Sequence, residues 1–520
     1  MKTFDYVICH GRVVDGTGSP WFFADVGIKG DRIVAIGKID PAAAENVIEA
    51  DGRFLVPGFI DAHVHTDLKL LEEPDLPSSV FQGVTSHVIG QDGISYAPSS
   101  LASQKHTRRY FAGVNGDPEI DCQWESVKDY LRCFDRRTAV NIAYLLPQGT
   151  IRMEVMGLET REPTPEEMRE MQVFVAQGMR DGAVGISTGL DYVPCVYSGT
   201  RELIDICRPA GELGGVYVTH IRSYGDRITE AVAEAVEIGR EAGIPVHISH
   251  YNGRAELLGR LVDDARAAGS DLTFDTYPYL AGCSILSMVA LPRWMEEGGS
   301  DATLARLAEP DSRQRLEEYC KNPVYPVEAL RLSSIDFLDD QELEGLFVPE
   351  AAAKRGESIA DFICNLLIRS RLEVSCIAHH SNRTEDDVIA LMRHPAHMGG
   401  SDGVYTGSKP HPRGFGTFAR YLEYVRDHNV MSLEEMIGHL SYHPARRFHL
   451  KGRGQIAVGC FADLALFDLG NIRGTTDYGK EPQMAAGMDW VFVNGIPVLA
   501  QGAATGKRPA VAVRGPGTLA

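Results

Sequence analysis

The chain has 520 residues, 44% of them hydrophobic, and a formal net charge of −20, enough apolar material for a large buried core and a balance that repels nucleic acid and anionic membrane surfaces. No apolar run reaches about 18 residues, so no membrane-spanning helix is expected, and Asp5, His10 and Arg12 interrupt any secretory signal at the N-terminus. Ten cysteines without a CxxC pair read as the reduced thiols of a cytoplasmic protein, which removes zinc knuckles and disulfide frameworks and leaves a small molecule as the expected partner, with self-association into a homo-oligomer open.

Residues 4 to 50 are short β-rich runs broken by Gly and Asp: "DYVICHGRVVDG", "ADVGIKGDRIVAIG" and "NVIEADGRFL". Beyond them, apolar strands alternate with amphipathic helices, the pattern of a parallel α/β fold. The candidate strands are "FLVPGFIDAHVH", "TSHVIGQD", "VNIAYLLPQG", "AVGISTG", "GVYVTHIR", "VHISHYN", "LTFDTYP" and "HMGGSD". Between the fifth and sixth, "RITEAVAEAVEIGREAG" predicts a helix with Ile228, Val232, Ala235, Val236 and Gly239 on one face, stopped by Gly243 and Pro245. Eight strands joined this way predict a (β/α)8 catalytic barrel over residues 56–449. The long gap before the eighth strand, beginning "LPRWMEEGGSDATLARLAEP", predicts an inserted helical subdomain over 285–350, above the active-site face as a lid or pocket wall. "GCFADLALFDLG" and "DWVFVNGIPVLAQG" return to β character, so 1–55 and 450–520 are expected to make one small β-sandwich domain. The closing "ATGKRPAVAVRGPGTLA" reads as a loosely held tail.

The polar residues at the strand ends carry the chemistry. His63 and His65 in "DAHVHTD" stand two apart on a strand and so point the same way. His220 ends "VYVTH" and His250 ends "VHISH", one strand-helix-strand unit later. The second candidate strand ends on Asp92 and the eighth on Asp402. Taken singly, each has a plainer explanation, a satisfied core histidine or an aspartate capping a turn before glycine. Four histidines and two aspartates at the same rim instead describe a divalent metal site with a position open for water. Such an ion lowers the pKa of water towards about 7 and polarises a carbonyl. A carboxylate must still carry the proton from water to a leaving amine, and Asp402 is placed for that task.

In "VPGFIDAHVHTD", "QGVTSHVIGQDGISYAP", "THIR", "ISH", "DTYPY", "GSDG", "HPRGFGTFAR" and "HPARRF" the chain resembles the amidohydrolase superfamily, and within it the N-acyl-D-amino-acid deacylases, or D-aminoacylases. The resemblance implies a metal-bearing barrel with a flanking β-sandwich that hydrolyses an amide bond, with His63 and His65 at one metal position, His220 and His250 at the other, and Asp402 as acid/base. Two features depart from the family. "AVGISTG" carries no Lys or Glu to bridge ions, and where the D-aminoacylase branch supplies a second-strand cysteine this chain has Asp92. A hard oxygen donor keeps Zn²⁺ as the first expectation for one or two ions but admits Mn²⁺, Co²⁺ or Fe²⁺. Two residues after the second ligating histidine, where relatives carry a lysine that pairs with the substrate carboxylate, stands Asn252. Arg152 in "GTIRMEVMG" is a candidate replacement, with a solvated surface arginine as the alternative, and Tyr192, Tyr277 and Tyr279 match tyrosines that line the family's pocket. The expected reaction is metal-dependent deacylation of an N-acyl-D-amino acid. The alternatives are hydrolysis of a cyclic amide, imide or other conjugated metabolite, and a non-catalytic barrel scaffold.

Overall fold

Eight short parallel strands form a ring in the computed structural model, which describes residues 2–518. They are β1 (Phe59–Asp61), β2 (Val84–Ile89), β3 (Asn141–Pro147), β4 (Gly185–Gly189), β5 (Val216–His220), β6 (Val246–Ile248), β7 (Leu272–Thr276) and β8 (His397–Gly399). Every residue in them is buried, as expected of strands covered on both faces. Each strand pairs with its sequence neighbour, and the ring closes where β8 meets β1: the Ala62 and His65 amides donate to the Gly399 and Gly403 carbonyls, both at 3.1 Å, and the Asp402 amide donates to His63 at 2.7 Å.

The outer helices follow their sequence signals. Helix α1 (Pro165–Asp181) begins with a reciprocal Thr164–Glu167 capping box and proline at its first position. It is followed by α2 (Thr200–Glu212) and α3 (Ile228–Ala242). Helix α3 buries Ile228, Val232, Ala235 and Gly239 and stops at Gly243, whose φ of 65° is the left-handed cap that glycine adopts without penalty.

A nine-stranded sheet is built from both ends of the chain. Its N-terminal strands, from Phe4–Val13 to Phe54–Pro57, meet the C-terminal ones where Leu464–Phe467 pairs antiparallel with Phe54–Pro57.

Three features differ from the sequence reading. The segment between β7 and β8 is not purely helical. It holds a three-stranded antiparallel sheet of Ala281–Ile285, Leu330–Ile335 and Val374–His379, and five helices share its core through residues such as Leu286, Leu307, Leu316, Val348 and Phe362. These strands are brief and far apart in sequence, so local periodicity registers the helices and misses the sheet. The C-terminal segment is docked rather than loose. The Ala510 amide donates to Thr138, the Ala510 carbonyl accepts from Arg136, and Val511 and Val513 exchange backbone bonds with Ile142 at 3.2 and 2.7 Å. Arg508 and Arg514 pair with Asp75 and Asp135 at 2.6 and 2.8 Å. Lastly, Cys122 and Cys133 form a disulfide across a turn that contains the short helix Val127–Arg132, while the other eight cysteines are free. No helix among the described residues is long and apolar enough to cross a membrane.

Candidate metal centre

Parallel strands present all their C-terminal ends at one rim, and five of them deliver the polar cluster there. His63 and His65 follow β1, Asp92 follows β2, His220 ends β5, His250 follows β6 and Asp402 follows β8. All six are at most 9% exposed. Three hold left-handed backbone angles, with φ of 56° at Asp92, 35° at His250 and 49° at Asp402, a conformation costing of order 1–3 kcal/mol each and concentrated at functional sites.

Their donor atoms converge at long range, with a single 3.4 Å contact between the two histidines that follow β1 counting as a hydrogen bond. His63 Nε2 stands 3.4 Å from His65 Nε2, 3.7 Å from Asp92 Oδ1 and 3.6 Å from Asp402 Oδ1. His65 Nε2 is 3.6 Å from Asp92 Oδ2 and 3.3 Å from Asp402 Oδ1. His250 Nε2 and His220 Nδ1 approach the two oxygens of Asp92 at 3.8 and 3.9 Å. A charge-assisted hydrogen bond would draw such pairs to about 2.7–2.9 Å. Asp92 Oδ1 and His220 Nδ1 are also buried with no hydrogen-bond partner. Buried imidazole and carboxylate donors held apart in this way fit a divalent cation. His63, Asp92 and His250 form one group of three ligand atoms within 4.8 Å, and His63, His65 and Asp402 form another. Asp92 reaches all four histidines, as a shared ligand must.

Burial opposes charge on both carboxylates. Even so, His63, His250 and His220 hold Asp92, and Arg413 and His65 hold Asp402, well below the usual carboxylate range. Burial pushes the His63 imidazole down to about 3, which keeps it neutral, the form able to bind a cation.

Neighbouring groups fix these side chains. Asp61 accepts from the Ser401 amide at 2.8 Å and the His63 amide at 3.3 Å, and Ser401 Oγ donates to its second oxygen at 2.5 Å, tying β1 to β8. Asp275 on β7 accepts the His250 amide at 2.8 Å and holds His247 Nε2 at 3.0 Å. Strand β4, which lacks a ligand, braces the Asp92 turn: Ser187 Oγ accepts from the Gly93 amide at 3.0 Å and donates to the Gly90 carbonyl at 2.5 Å. Gly93 has φ 68°, and a Cβ there would lie 2.6 Å from Cys195 Sγ. Gly93→Ala is therefore expected to lower stability by about 1–3 kcal/mol through strain and overpacking. Urea denaturation checks this, and an unchanged midpoint would mean the turn has room.

The remaining sequence candidates divide. Tyr192 packs edge-on against His220 with ring centroids 5.2 Å apart, its hydroxyl 3.0 Å from Ser284 Oγ. Tyr277 has two guanidinium groups near its ring, Arg413 at 4.8 Å and Arg383 at 5.3 Å from the ring centre. Tyr279 instead packs on His411, Tyr478 and Arg420. The Asn252 amide donates to the His250 carbonyl at 2.7 Å, so it steadies a ligand-bearing turn. Arg152 is neither a substrate reader nor a surface residue. It is fully buried, its Nε donating to Glu202 at 3.0 Å and its Nη atoms to the Glu159 and Arg161 carbonyls, which leaves no charge to offer.

Sequence reasoning did not single out Arg413, fully buried in "HPRGFG" with Nη1 2.7 Å from Asp402 Oδ2, or Asp191, 3.6 Å from His220 Nε2. Both sit inside or beside quoted motifs, but only the folded chain shows what they face.

An amidohydrolase family model matches residues 46–485. A D-aminoacylase of Alcaligenes xylosoxydans xylosoxydans is 35% identical over 516 residues, 97% of this chain and 96% of that protein. A solved D-aminoacylase with a binuclear metal centre superposes with a TM-score of 0.82 at 32% identity, covering 98% of this chain and 100% of the other. An N-acyl-D-glutamate deacylase of Bordetella bronchiseptica, complexed with zinc and a phosphonate mimic of the tetrahedral intermediate, gives 0.84 at 30% identity over 98% and 99%.

Proposed function

The chain belongs to the amidohydrolase family, in its D-aminoacylase branch, and from that premise we propose that it is a metal-dependent hydrolase removing the acyl group from an N-acyl-D-amino acid. The observation that carries this reading is the placement of Asp402, an ionised carboxylate whose Oδ2 is held by Arg413 while Oδ1 faces the His63–His65 pair. His63, His65, Asp92, His220 and His250 would hold the metal, which supplies polarisation of the scissile carbonyl and acidifies water when bound.

Asp402 Oδ1 takes the proton of the attacking water and returns it to the amide nitrogen as the C–N bond breaks, so one group serves as base and then acid. Arg413 keeps that carboxylate ionised at rest and fixes its orientation. Asp61 and Asp275 anchor the turns that carry His63, Asp402 and His250. Tyr192 and Tyr277 wall the space beside His220 and Arg413. A scaffold would have no use for six converging buried donors.

Zinc is the first choice of ion because four imidazoles dominate the donor set. Asp92 in place of a thiolate opens the site to manganese, cobalt or iron. The substrate is a small molecule, and the charge of −20 argues against nucleic acid or a membrane as partner. Eight free cysteines support a cytoplasmic setting, against which the Cys122–Cys133 disulfide weighs.

The test strips metal with a chelator, restores zinc, cobalt, manganese or iron separately, and assays N-acyl-D-amino acids, N-acyl-L-amino acids and cyclic amides. The expected result is loss of activity on chelation and recovery with preference for the D series. No turnover of any N-acyl-D-amino acid with any ion, or a preference for cyclic amides, would overturn the proposal.

A further inference from the structure

Four arginines are buried among the described residues: Arg152, Arg383, Arg413 and Arg453. Three face a carboxylate of the chain itself, Arg152 on Glu202 at 3.0 Å, Arg413 on Asp402 at 2.7 Å, and Arg453 on Asp463. Arg383, only 4% exposed, forms no ion pair with any described residue. Its Nη2 donates to the Tyr279 carbonyl, while Nε and Nη1 are buried with no hydrogen-bond partner. A buried cation with no anion is costly, and a fold that keeps one does so most economically when the anion arrives from outside.

The position of Arg383 says where that anion lies. It follows the inserted-sheet strand Val374–His379, and its guanidinium stands over the Tyr277 ring that also carries Arg413. It therefore shares an aromatic neighbour with the arginine paired with Asp402. Beside Tyr277 the packing is close: a Cβ on Gly282 would lie 3.1 Å from His380 Nε2 and 3.4 Å from the Tyr277 hydroxyl, so position 282 takes glycine and adds no side chain of its own against these polar groups.

We propose that Arg383 binds a carboxylate of the substrate, supplying from the inserted segment the positive charge that Asn252 lacks. This rests on the deacylase reading. An incoming carboxylate would accept charge-assisted hydrogen bonds from the open N–H groups. It could be the α-carboxylate common to all N-acyl-amino acids or a second carboxylate on an acidic side chain.

The test compares metal-loaded wild type, Arg383→Met and Arg383→Lys on N-acetyl-D-leucine, its carboxamide, N-acetyl-D-glutamate and N-acetyl-D-glutamine. The expected result for Arg383→Met is a loss of about 10²-fold in kcat/KM on the acids with little change on the carboxamide, and partial recovery in Arg383→Lys. A loss shared by leucine, glutamine and glutamate substrates assigns the α-carboxylate, and one confined to glutamate assigns the side-chain carboxylate. Equal losses on acid and carboxamide would overturn the proposal. Should Arg383→Met fail to fold, Arg383→Lys is still expected to discriminate against the acids. Binding gives a readout independent of turnover: a saturating free D-amino acid is expected to raise the Tm of wild type most, that of Arg383→Lys less, and that of Arg383→Met not at all. Wild type that is stabilised by the acids yet hydrolyses none of them would retire the deacylase reading alone. An equal Tm rise in all three proteins would retire the role of Arg383.

Discussion

Replacing Asp402 by asparagine is expected to lower kcat by about 10²- to 10⁴-fold while bound metal stays near the wild-type level. The amide is nearly isosteric but cannot take a proton at neutral pH, and His63, His65, Asp92, His220 and His250 remain to hold the ion. The same change leaves Arg413 buried opposite a neutral group, and breaking a buried pair is destabilising by roughly 3–5 kcal/mol when one charge is stranded. Tm is therefore expected to fall as well, and rates should be compared at a temperature where circular dichroism shows both proteins folded. Elemental analysis of the folded protein separates lost chemistry from lost metal. Near wild-type turnover would remove Asp402 from the acid/base role.

Asp92→Ala is expected to abolish nearly all activity by a different route, through release of metal. Loss of a residue that merely supports a ligand typically costs 10- to 100-fold in metal affinity, and Asp92 approaches four histidines itself. Asp92→Cys is expected to bind metal again and to shift preference from manganese towards zinc, since thiolate is the softer donor. Metal content by elemental analysis, with activity beside it, checks both variants. A turn-capping aspartate at the surface would tolerate alanine for under about 0.5 kcal/mol, so full metal and full activity in Asp92→Ala would reduce the residue to that role.

The barrel strands and the polar cluster at their rim were legible because each of its six residues abuts an apolar run whose end is marked by polar residues and glycine. Position along a strand then predicts position at the rim. Asp61 and Asp275 lie inside the same motifs, yet the bond from Asp61 to Ser401 spans 340 residues and exists only once β8 closes on β1. Arg413 stood in a quoted motif without a role for the same reason. Arg152 shows the opposite failure: its sequence context gave no sign of Glu202, which neutralises it from α2, 50 residues further on. Arg383 lies in "HHSNRTEDD", a polar stretch with no period, and nothing local distinguishes it from a solvated arginine. The docked C-terminal segment was misread because its glycines and prolines signal a loop, whereas its backbone groups are satisfied by partners near residue 140.

On the ribosome, this chain cannot complete its fold as it emerges. Strand Phe54–Pro57 waits for Leu464–Phe467, and Ile142, at the foot of β3, waits for Val511 and Val513. At synthesis rates of roughly 5–20 residues per second, an unpaired strand edge and an uncovered barrel base persist for about twenty seconds to over a minute. Over most of its translation the nascent chain thus exposes apolar surface and an unpaired strand edge, the features that make folding intermediates prone to aggregate. Removing the segment from residue 509 onward is therefore expected to leave the rim residues in place and the opposite end of the barrel uncovered, since Ala510, Val511 and Val513 supply its backbone partners there.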